Sequence, residues 1–215
     1  MMKKTFYILV SAIIVLTTTS CQRGIPDNFD YGTFENNTYK NKFFGMTLEI
    51  PEGWDVQSEA EQKALLEEAQ KELNNKEFDK MMKTAEITSA DLLMASQFDT
   101  QTYADPEVLN ANFNLTTENI SLTSIKDGKD YLDATRKTLI ESQMPVKAND
   151  ETKSIDVDGK TFYYFDAVMT MNGIDIKQRY MATVMNGFSL IYVATYGTED
   201  QLEKLMDILK TTKFE

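Results

Sequence analysis

The sequence contains no histidine, and Cys21 is its only cysteine. Ser-His and Cys-His catalysis and zinc sites of the His/Cys type need histidine or several cysteines, so they are excluded, as is an internal disulfide. Neither a Gly-x-Ser-x-Gly nucleophile motif nor a phosphate-binding loop occurs. The sequence therefore predicts a protein without catalytic activity, and it predicts no metal and no cofactor.

Basic residues are also few, with 22 lysines and arginines against 34 acidic residues and a formal charge of −12. An acidic chain of this kind repels phosphate backbones and anionic headgroups, so we expect no nucleic acid among its partners. The apolar run Phe6–Leu16 is too short to cross a bilayer, which takes about 20 residues.

Residues 1–20 have the organisation of an export signal. Lys3 and Lys4 form a charged start, Phe6–Leu16 an apolar middle, and Thr17–Ser20 a stretch of small residues. This pattern predicts an extracytoplasmic location.

The end of that signal, Thr18-Thr19-Ser20-Cys21, resembles the lipobox of bacterial lipoproteins, with Thr18 where leucine is commoner. The resemblance implies that Cys21 is diacylglycerated, that the signal is cleaved before it, and that the new N-terminus is often acylated. Two or three acyl chains anchor a protein stably to a membrane. The alternative is an ordinary signal followed by an unrelated cysteine.

After the signal, residues 21–37 are polar and rich in Gly, Asn and Asp, without hydrophobic periodicity, which predicts a flexible tether. Residues 38–215 are long enough for one domain with a good core.

Three turn dipeptides organise the C-terminal half: Asp158-Gly159, Asn172-Gly173 and Asn186-Gly187, fourteen residues apart. Such pairs favour two-residue type I′ turns, which need φ > 0, so we expect positive φ at Gly173 and Gly187. The segments between them are rich in aromatic and β-branched residues. They predict a four-stranded antiparallel meander with strands Lys160–Met171, Ile174–Met185 and Phe188–Tyr196 after a first strand from Glu151.

Two-residue turns also set the register, and with it the two faces of the meander. One face is apolar and is predicted to be the core side, interrupted by Gln178. Its members are Tyr163, Phe165, Ala167, Met169, Met171, Ile174, Ile176, Tyr180, Ala182, Val184, Ile191 and Val193. The other face mixes apolar and charged side chains and is predicted to be neither plain surface nor a second full core. It comprises Phe162, Tyr164, Val168, Met181, Met185, Phe188, Leu190 and Tyr192 with Asp166, Asp175, Lys177 and Arg179.

The rest of the chain predicts helices and further strands. The Ser58/Glu61 and Thr198/Gln201 pairs are capping boxes, and Asp127 is a helix cap. The expected helices are Glu59–Leu73, Gly128–Ser142 (buried in part through Ile140) and one after Thr198; the expected strands are Phe43–Ile50, Glu86–Phe98, Asn112–Ser121 and a short one in Thr211–Glu215. The predicted class is α+β, an antiparallel sheet with helices packed on it.

The opening of the domain resembles PsbP/Mog1-like domains. The residues that carry the resemblance are Tyr39-x-Asn41-x-x-Phe44-Gly45-Met46-x-Leu48-x-Ile50-Pro51-x-Gly53-Trp54, and the closing Lys213-Phe214 segment is also similar. The resemblance implies an α/β/α sandwich over residues 38–215. Family members are extrinsic photosystem II subunits, a Ran-binding nuclear factor and envelope lipoproteins, so it implies a binding scaffold without a shared chemistry.

The mixed face supplies the candidate binding residues. They are Tyr164, Asp166, Arg179, Met181 and Tyr192. An exposed ion pair stabilises a sheet by only about 0.2–1 kcal/mol, so stability alone does not explain a charged pair at Asp166 and Arg179. The pair therefore indicates a partly open groove or the rim of a face covered by a helix.

The sequence thus favours a lipid-anchored binding or assembly protein of the bacterial envelope. Its expected partners are the membrane, through acyl chains on Cys21, and a further envelope protein or a small ligand. The alternatives are an envelope hydrolase that uses carboxylates and a carrier of an apolar small ligand.

Overall fold

The structure is a computed structural model, and it describes residues 24–73, 79, 83, 87–103, 105, 108–142, 145–171 and 174–215. Cys21 and Gly173 lie outside the described residues, so the predictions of an acylated Cys21 and of a positive φ at Gly173 remain predictions.

The described part of the chain forms two antiparallel sheets. The large sheet has the order β4-β5-β6-β11-β10-β9-β7, with β8 pairing β9. Its strands are β4 (Asp55–Val56), β5 (Ser89–Ser96), β6 (Asn112–Asn119), β7 (Val146–Ala148), β8 (Lys153–Val157), β9 (Lys160–Met171), β10 (Ile174–Met185) and β11 (Phe188–Tyr196). The small sheet has the order β1-β2-β3-β12. Its strands are β1 (Thr33–Glu35), β2 (Thr38–Asn41), β3 (Met46–Glu49) and β12 (Lys213–Phe214).

The helices of the described residues are α1 (Glu59–Leu73), α2 (Gly128–Glu141) and α3 (Glu199–Lys210). All three predicted caps are confirmed. Ser58 and Glu61 exchange hydrogen bonds at α1, Asp127 accepts from the Asp130 amide at α2, and Thr198 with Gln201 forms the capping box of α3. The predicted α+β class is also confirmed.

The meander of β8, β9, β10 and β11 has the predicted register. Arg179 pairs with Asp166 across β10 and β9, and Met181 pairs with Tyr192 across β10 and β11. Asn186 and Gly187 have φ of 55° and 80°, as a type I′ turn requires. The predicted positive φ at Gly187 is therefore confirmed.

The large sheet buries a cluster on each face. On the helix face, α2 supplies Tyr131, Leu132 and Leu139. The side chains predicted for the core face lie here: Phe165, Ala167, Met169, Ile176, Tyr180, Ala182, Ile191 and Val193 are buried, and Tyr163 and Val184 pack against them. The prediction that Ile140 of α2 is buried is wrong, because 59% of it is exposed.

The opposite face, called here the small-sheet face, is covered by the small sheet and α3. Leu48 of β3 and Leu205 of α3 join its cluster together with Met181 and Tyr192 of the large sheet. The expectation that this face is too charged for a second core is therefore wrong over most of its area. The covering sheet is assembled from both ends of the chain, since β12 pairs with β3, and local patterns do not reveal that pairing.

The opening motif builds the small sheet. Tyr39 is buried and its hydroxyl donates to the Tyr31 carbonyl at 2.7 Å. The Asn41 side chain donates to the Asp30 carbonyl and accepts from the Phe44 amide, and Gly45 completes that turn at φ 56°. The predicted strand Phe43–Ile50 is consequently shorter at both ends, Met46–Glu49.

The prediction of a flexible tether over residues 21–37 is wrong from Gly24 onward. Asn119 donates from its side chain to the Gly24 carbonyl at 2.9 Å, and Ile25 donates to the Ile87 carbonyl at 3.2 Å. Phe29 is buried and stacks on Phe188 with ring centroids 5.5 Å apart. Burial of this aromatic residue secures a segment whose composition alone is typical of a linker.

Candidate functional site

Three of the five predicted binding residues form one cluster, the rim cluster of Tyr164, Asp166 and Arg179. Arg179 donates from Nε and Nη2 to the two oxygens of Asp166 at 2.7 and 3.0 Å. Its guanidinium carbon lies 4.5 Å from the centre of the Tyr164 ring. All three side chains are half-buried, at the edge of the small-sheet face.

The other two predicted residues, Met181 and Tyr192, are completely buried, and the Tyr192 hydroxyl donates to the Leu205 carbonyl of α3. Their placement on an accessible face is therefore wrong, because the small sheet and α3 cover them. The candidate surface is reduced to the rim cluster.

The rim cluster has a defined electrostatic character. Burial lowers the pKa of Arg179, but the hydrogen bonds and the charge of Asp166 outweigh burial and raise its pKa overall. Partial burial and then the nearby Asp166 raise the pKa of Tyr196 to about 12. Arg179 stays charged and paired, so this cluster offers a partner a planar cation that is already engaged by a carboxylate.

A second group of polar side chains lies on the helix face and was not predicted. Alternate residues of β6 form it, and we call it the polar row: Asn112, Asn114, Thr116 and Glu118. All four are buried. Residues between them, such as Phe113 and Leu115, belong to the apolar cluster of the small-sheet face.

One end of the polar row is held by hydrogen bonds to α2. The buried Tyr131 hydroxyl donates to Glu118 Oε2 at 2.9 Å. On the neighbouring strands the buried Tyr180 hydroxyl donates to Gln178, and Gln178 donates to Thr195. Tyr131 and Glu118 thus satisfy each other at one end of the polar row, and Tyr180, Gln178 and Thr195 form a separate hydrogen-bonded chain on β10 and β11.

The middle of the polar row is not satisfied in this way. Within the described part of the chain, Asn114 Oδ1 and Thr116 Oγ1 are buried and have no hydrogen-bond partner, and the same holds for the hydroxyls of Ser89 and Ser96 on β5. A buried polar atom without a partner costs about 1–3 kcal/mol, and such atoms are rare in folded proteins.

Asp91 lies beside these atoms. It pairs with Thr116 across β5 and β6, next to a shift in strand register between Asp91 and Leu93. The Asn114 side chain hydrogen-bonds its carboxylate, yet burial raises the pKa of Asp91 to about 6. Its side chain is nevertheless open to solvent. Asp91 therefore contacts the buried Asn114 on one side and solvent on the other.

The two helices of this face cover it unequally. Five residues of α2 are buried, whereas no side chain of α1 between Glu59 and Glu67 is buried. Leu66 of α1 is partly buried and packs against the helix-face cluster. Over Glu59–Glu67, α1 is therefore seated less deeply on this face than α2 is.

The polar row has a signal in the sequence that the pattern of turns and apolar residues did not reveal. A strand in the middle of a sheet normally alternates apolar residues with solvent-facing ones or is apolar throughout. In β6 the amide, hydroxyl and carboxyl side chains of one face are all buried. Hydroxyl and amide side chains at every second position of a central strand are therefore the sequence signal that indicates a buried polar surface.

A metal site and a membrane-crossing helix each place requirements on the described residues. Among the described residues, no group of three or more Asp, Glu, His or Cys side chains is placed to hold a metal ion. No helix in the same part of the chain combines the length and apolar character needed to cross a bilayer.

No protein-family model matches the sequence, and comparison with curated proteins yields no relative. Solved structures with a similar fold include PsbP (CyanoP) from the cyanobacterium Synechocystis sp. PCC 6803. Its sequence is 15% identical, the match covers 83% of this chain and 91% of that chain, and the TM-score is 0.48. LpqN, involved in cell envelope biogenesis of Mycobacterium tuberculosis, is 14% identical over 78% of this chain and 82% of that chain, with a TM-score of 0.44.

Proposed function

We propose that this chain is a lipid-anchored, extracytoplasmic binding or assembly protein of the bacterial envelope, without catalytic activity, and that it binds its ligand at Asp91, Asn114 and Thr116. One observation supports the binding site above all. Asn114 Oδ1 and Thr116 Oγ1 are buried with no partner among the described residues, directly beside a carboxyl that solvent reaches. A bound ligand would supply the missing hydrogen bonds and recover their cost.

The chemistry of the three groups defines the ligand class. Asn114 Oδ1 and the Asp91 carboxylate accept hydrogen bonds, and the Thr116 hydroxyl donates or accepts. A compound rich in hydroxyl and amide N–H donors satisfies all three, whereas an anion is repelled by Asp91. Amino sugars and short peptides of envelope polymers belong to this class.

Thermal-shift titration tests the site with defined probes: N-acetylglucosamine, its oligomers, and short muropeptide-like peptides. We expect at least one of them to raise the melting temperature of the wild-type protein, because a ligand that binds only the folded state stabilises it. The variants Asn114→Leu and Thr116→Val remove the hydrogen-bonding atoms and should lose the shift, while Arg179→Ala, at the rim cluster, should retain it. Equal shifts in all four proteins, or no shift with any probe, would contradict the proposed site.

The anchor is tested separately. Cys21→Ala should release the protein from the membrane fraction or leave it unprocessed, without changing the unfolding of the domain that begins at Gly24. Ser20→Ala keeps the cysteine and serves as the matched control. A Cys21→Ala protein that still fractionates as a processed membrane protein would overturn the anchor.

One observation favours a second candidate, a hydrolase. Asp91 and Glu118 lie diagonally on adjacent strands of one face, an arrangement with a spacing of about 7–8 Å. Glycosidases use a carboxyl pair at comparable separation, with a raised pKa on the general acid. Hydrolysis of aryl glycosides by the wild-type protein, abolished in Asp91→Asn, would support it. If wild type and Asp91→Asn hydrolyse aryl glycosides at equal rates, the hydrolase is rejected and binding remains the proposed function.

A further inference from the structure

The first described residues of the chain lie at one particular end of the large sheet. Gly24 is held by the side chain of Asn119, the last residue of β6. Asn119 also accepts hydrogen bonds from Ser121, and Ile120 donates to the Gly187 carbonyl in the β10–β11 turn. The chain therefore enters the fold at the end where β6 finishes and β11 begins.

Gly24 is three residues after Cys21. Three extended residues span at most about 11 Å, so the Cys21 backbone lies within that distance of Gly24. Since the segment after Gly24 is packed on the domain, the distance between an acylated Cys21 and this end of the sheet is short.

The same end carries exposed apolar side chains. Ile87 is 64% exposed and Leu122 is 52% exposed. Ile87 accepts the hydrogen bond from Ile25 and lies beside Gly24, and Leu122 follows Ser121, which contacts Asn119. Large aliphatic side chains at such exposure normally face a partner or a membrane when they are grouped.

We propose that this end, with Ile87 and Leu122, rests on the lipid bilayer and seats the domain in one orientation on the membrane. The inference rests on the proposed acylation of Cys21. Two aliphatic side chains bind a bilayer weakly by themselves, but an anchor a few residues away makes their contact intramolecular and raises their effective concentration. The contact is apolar, so it does not depend on basic residues, of which this acidic chain has few.

The orientation has a consequence for the proposed ligand site. Asp91 is four residues along the chain from Ile87, so their Cα atoms are at most about 14 Å apart. Asp91 and the polar row beside it then lie close to the bilayer, where envelope components attached to lipid are within reach.

The test uses the full acylated protein in phosphatidylcholine vesicles. In the acylated form Cys21 is a thioether, so an introduced cysteine is the single free thiol and takes an environment-sensitive fluorophore. Leu122→Cys places the label at the proposed contact. Ile140→Cys is the matched control, because Ile140 is similarly exposed but lies in the last turn of α2. The next strand, β7, pairs with Met169 near the far end of β9.

Lipids with a spin label just below the headgroup quench fluorophores at the membrane surface. We expect the label at position 122 to be quenched several-fold more strongly than the label at position 140. Equal quenching in protein that sediments with the vesicles would overturn the inference while the anchor stands. Protein that does not sediment with the vesicles would overturn both the lipid anchor and the inference.

Discussion

The two faces of the large sheet are built from the same strands but differ in chemistry. On β6, Phe113 and Leu115 point into the small-sheet face, and Asn114 and Thr116 lie on the helix face. The small-sheet face is apolar and closed by two elements, the small sheet and α3. The helix face is apolar under α2 and polar beside it.

The difference agrees with a division of roles in which the small-sheet face stabilises the fold and the helix face carries the proposed binding site. Burying apolar area stabilises a fold by about 25 cal/mol per Å², and the small-sheet face does this over most of its area. Buried hydroxyl and amide atoms without partners act in the opposite direction. A fold that keeps Asn114 and Thr116 in its interior loses stability there, and we attribute this to the ligand site proposed above.

The largest expected effect concerns the seating of α2 on the helix face. A Cβ at Gly128 would lie 2.1 Å from the Ala182 carbonyl oxygen of β10. Gly128→Ala must therefore push the helix from the sheet, and we expect the free energy of unfolding to fall by about 3 kcal/mol or more. Urea unfolding measures the change.

The control for this prediction is Gly53→Ala. Gly53 has φ 87°, but a Cβ added there would meet no atom within 4 Å, so only backbone strain of about 1–2 kcal/mol is expected. If Gly128→Ala and Gly53→Ala lower the free energy of unfolding equally, Gly128 is not needed for the close approach of α2 to the sheet.

A pair of hydroxyl deletions compares the two faces directly. Tyr192→Phe removes a hydroxyl that donates to the Leu205 carbonyl at 2.8 Å, and it should cost about 1 kcal/mol. Thr116→Val removes a hydroxyl with no partner among the described residues. It should cost nothing or stabilise the protein by up to about 1 kcal/mol. The same unfolding experiment reports both, and opposite signs are the expected result.

If Thr116→Val destabilises the protein as much as Tyr192→Phe does, the Thr116 hydroxyl is paired in the folded state. The polar row would then be a satisfied part of the core, and the comparison between the faces would no longer support a ligand site there.

The pH dependence of stability tests the environment of Asp91. Its pKa is raised from 3.8 to about 6 in the folded state, so the folded protein binds this proton more tightly than the unfolded chain. Its favourable contribution is complete below about pH 4 and is lost as the pH rises through about 6. Asp91→Asn should flatten the profile of unfolding free energy between pH 4 and 7. An unchanged profile would contradict the placement of the Asp91 carboxyl against the buried polar row.

The smallest expected effect on stability is at the rim cluster. Arg179 is 18% and Asp166 34% exposed at the side chain, and an ion pair at such a site contributes about 1 kcal/mol or less. Arg179→Ala should leave the melting temperature within a few degrees of wild type. If the rim cluster contacts an envelope protein, the variant should also weaken crosslinking to it in native membranes, whereas Lys177→Ala should not.

If the Arg179→Ala protein loses its fold as well as its crosslinking, Arg179 has only a structural role. Retained crosslinking would remove the rim cluster from the candidate contact surfaces and leave the polar row as the remaining one.

Much of the large sheet was accessible to sequence reasoning because its signals are local. The Asn186-Gly187 turn and the alternation of β10 and β11 set the register that pairs Asp166 with Arg179. Helix α1 begins at Glu59 as predicted, because its capping residues Ser58 and Glu61 adjoin that end in the sequence. The candidate site was predicted only in part, since the rim cluster follows from register but the burial of Met181 and Tyr192 does not.

The sequence by itself determined the strands of the meander, the Asn186-Gly187 turn and the helix caps, because each depends on residues within a few positions of one another. Tertiary structure alone decided what covers each face. The pairing of β12 with β3, 166 positions apart at Lys213 and Thr47, turned a mixed face into a core, and Phe29 turned an apparent tether into part of the fold. Which element covers a face of the sheet depends on contacts between segments that are distant in sequence. The alternation of polar and apolar residues in a single strand is the same whether its polar side faces water, a helix or a ligand.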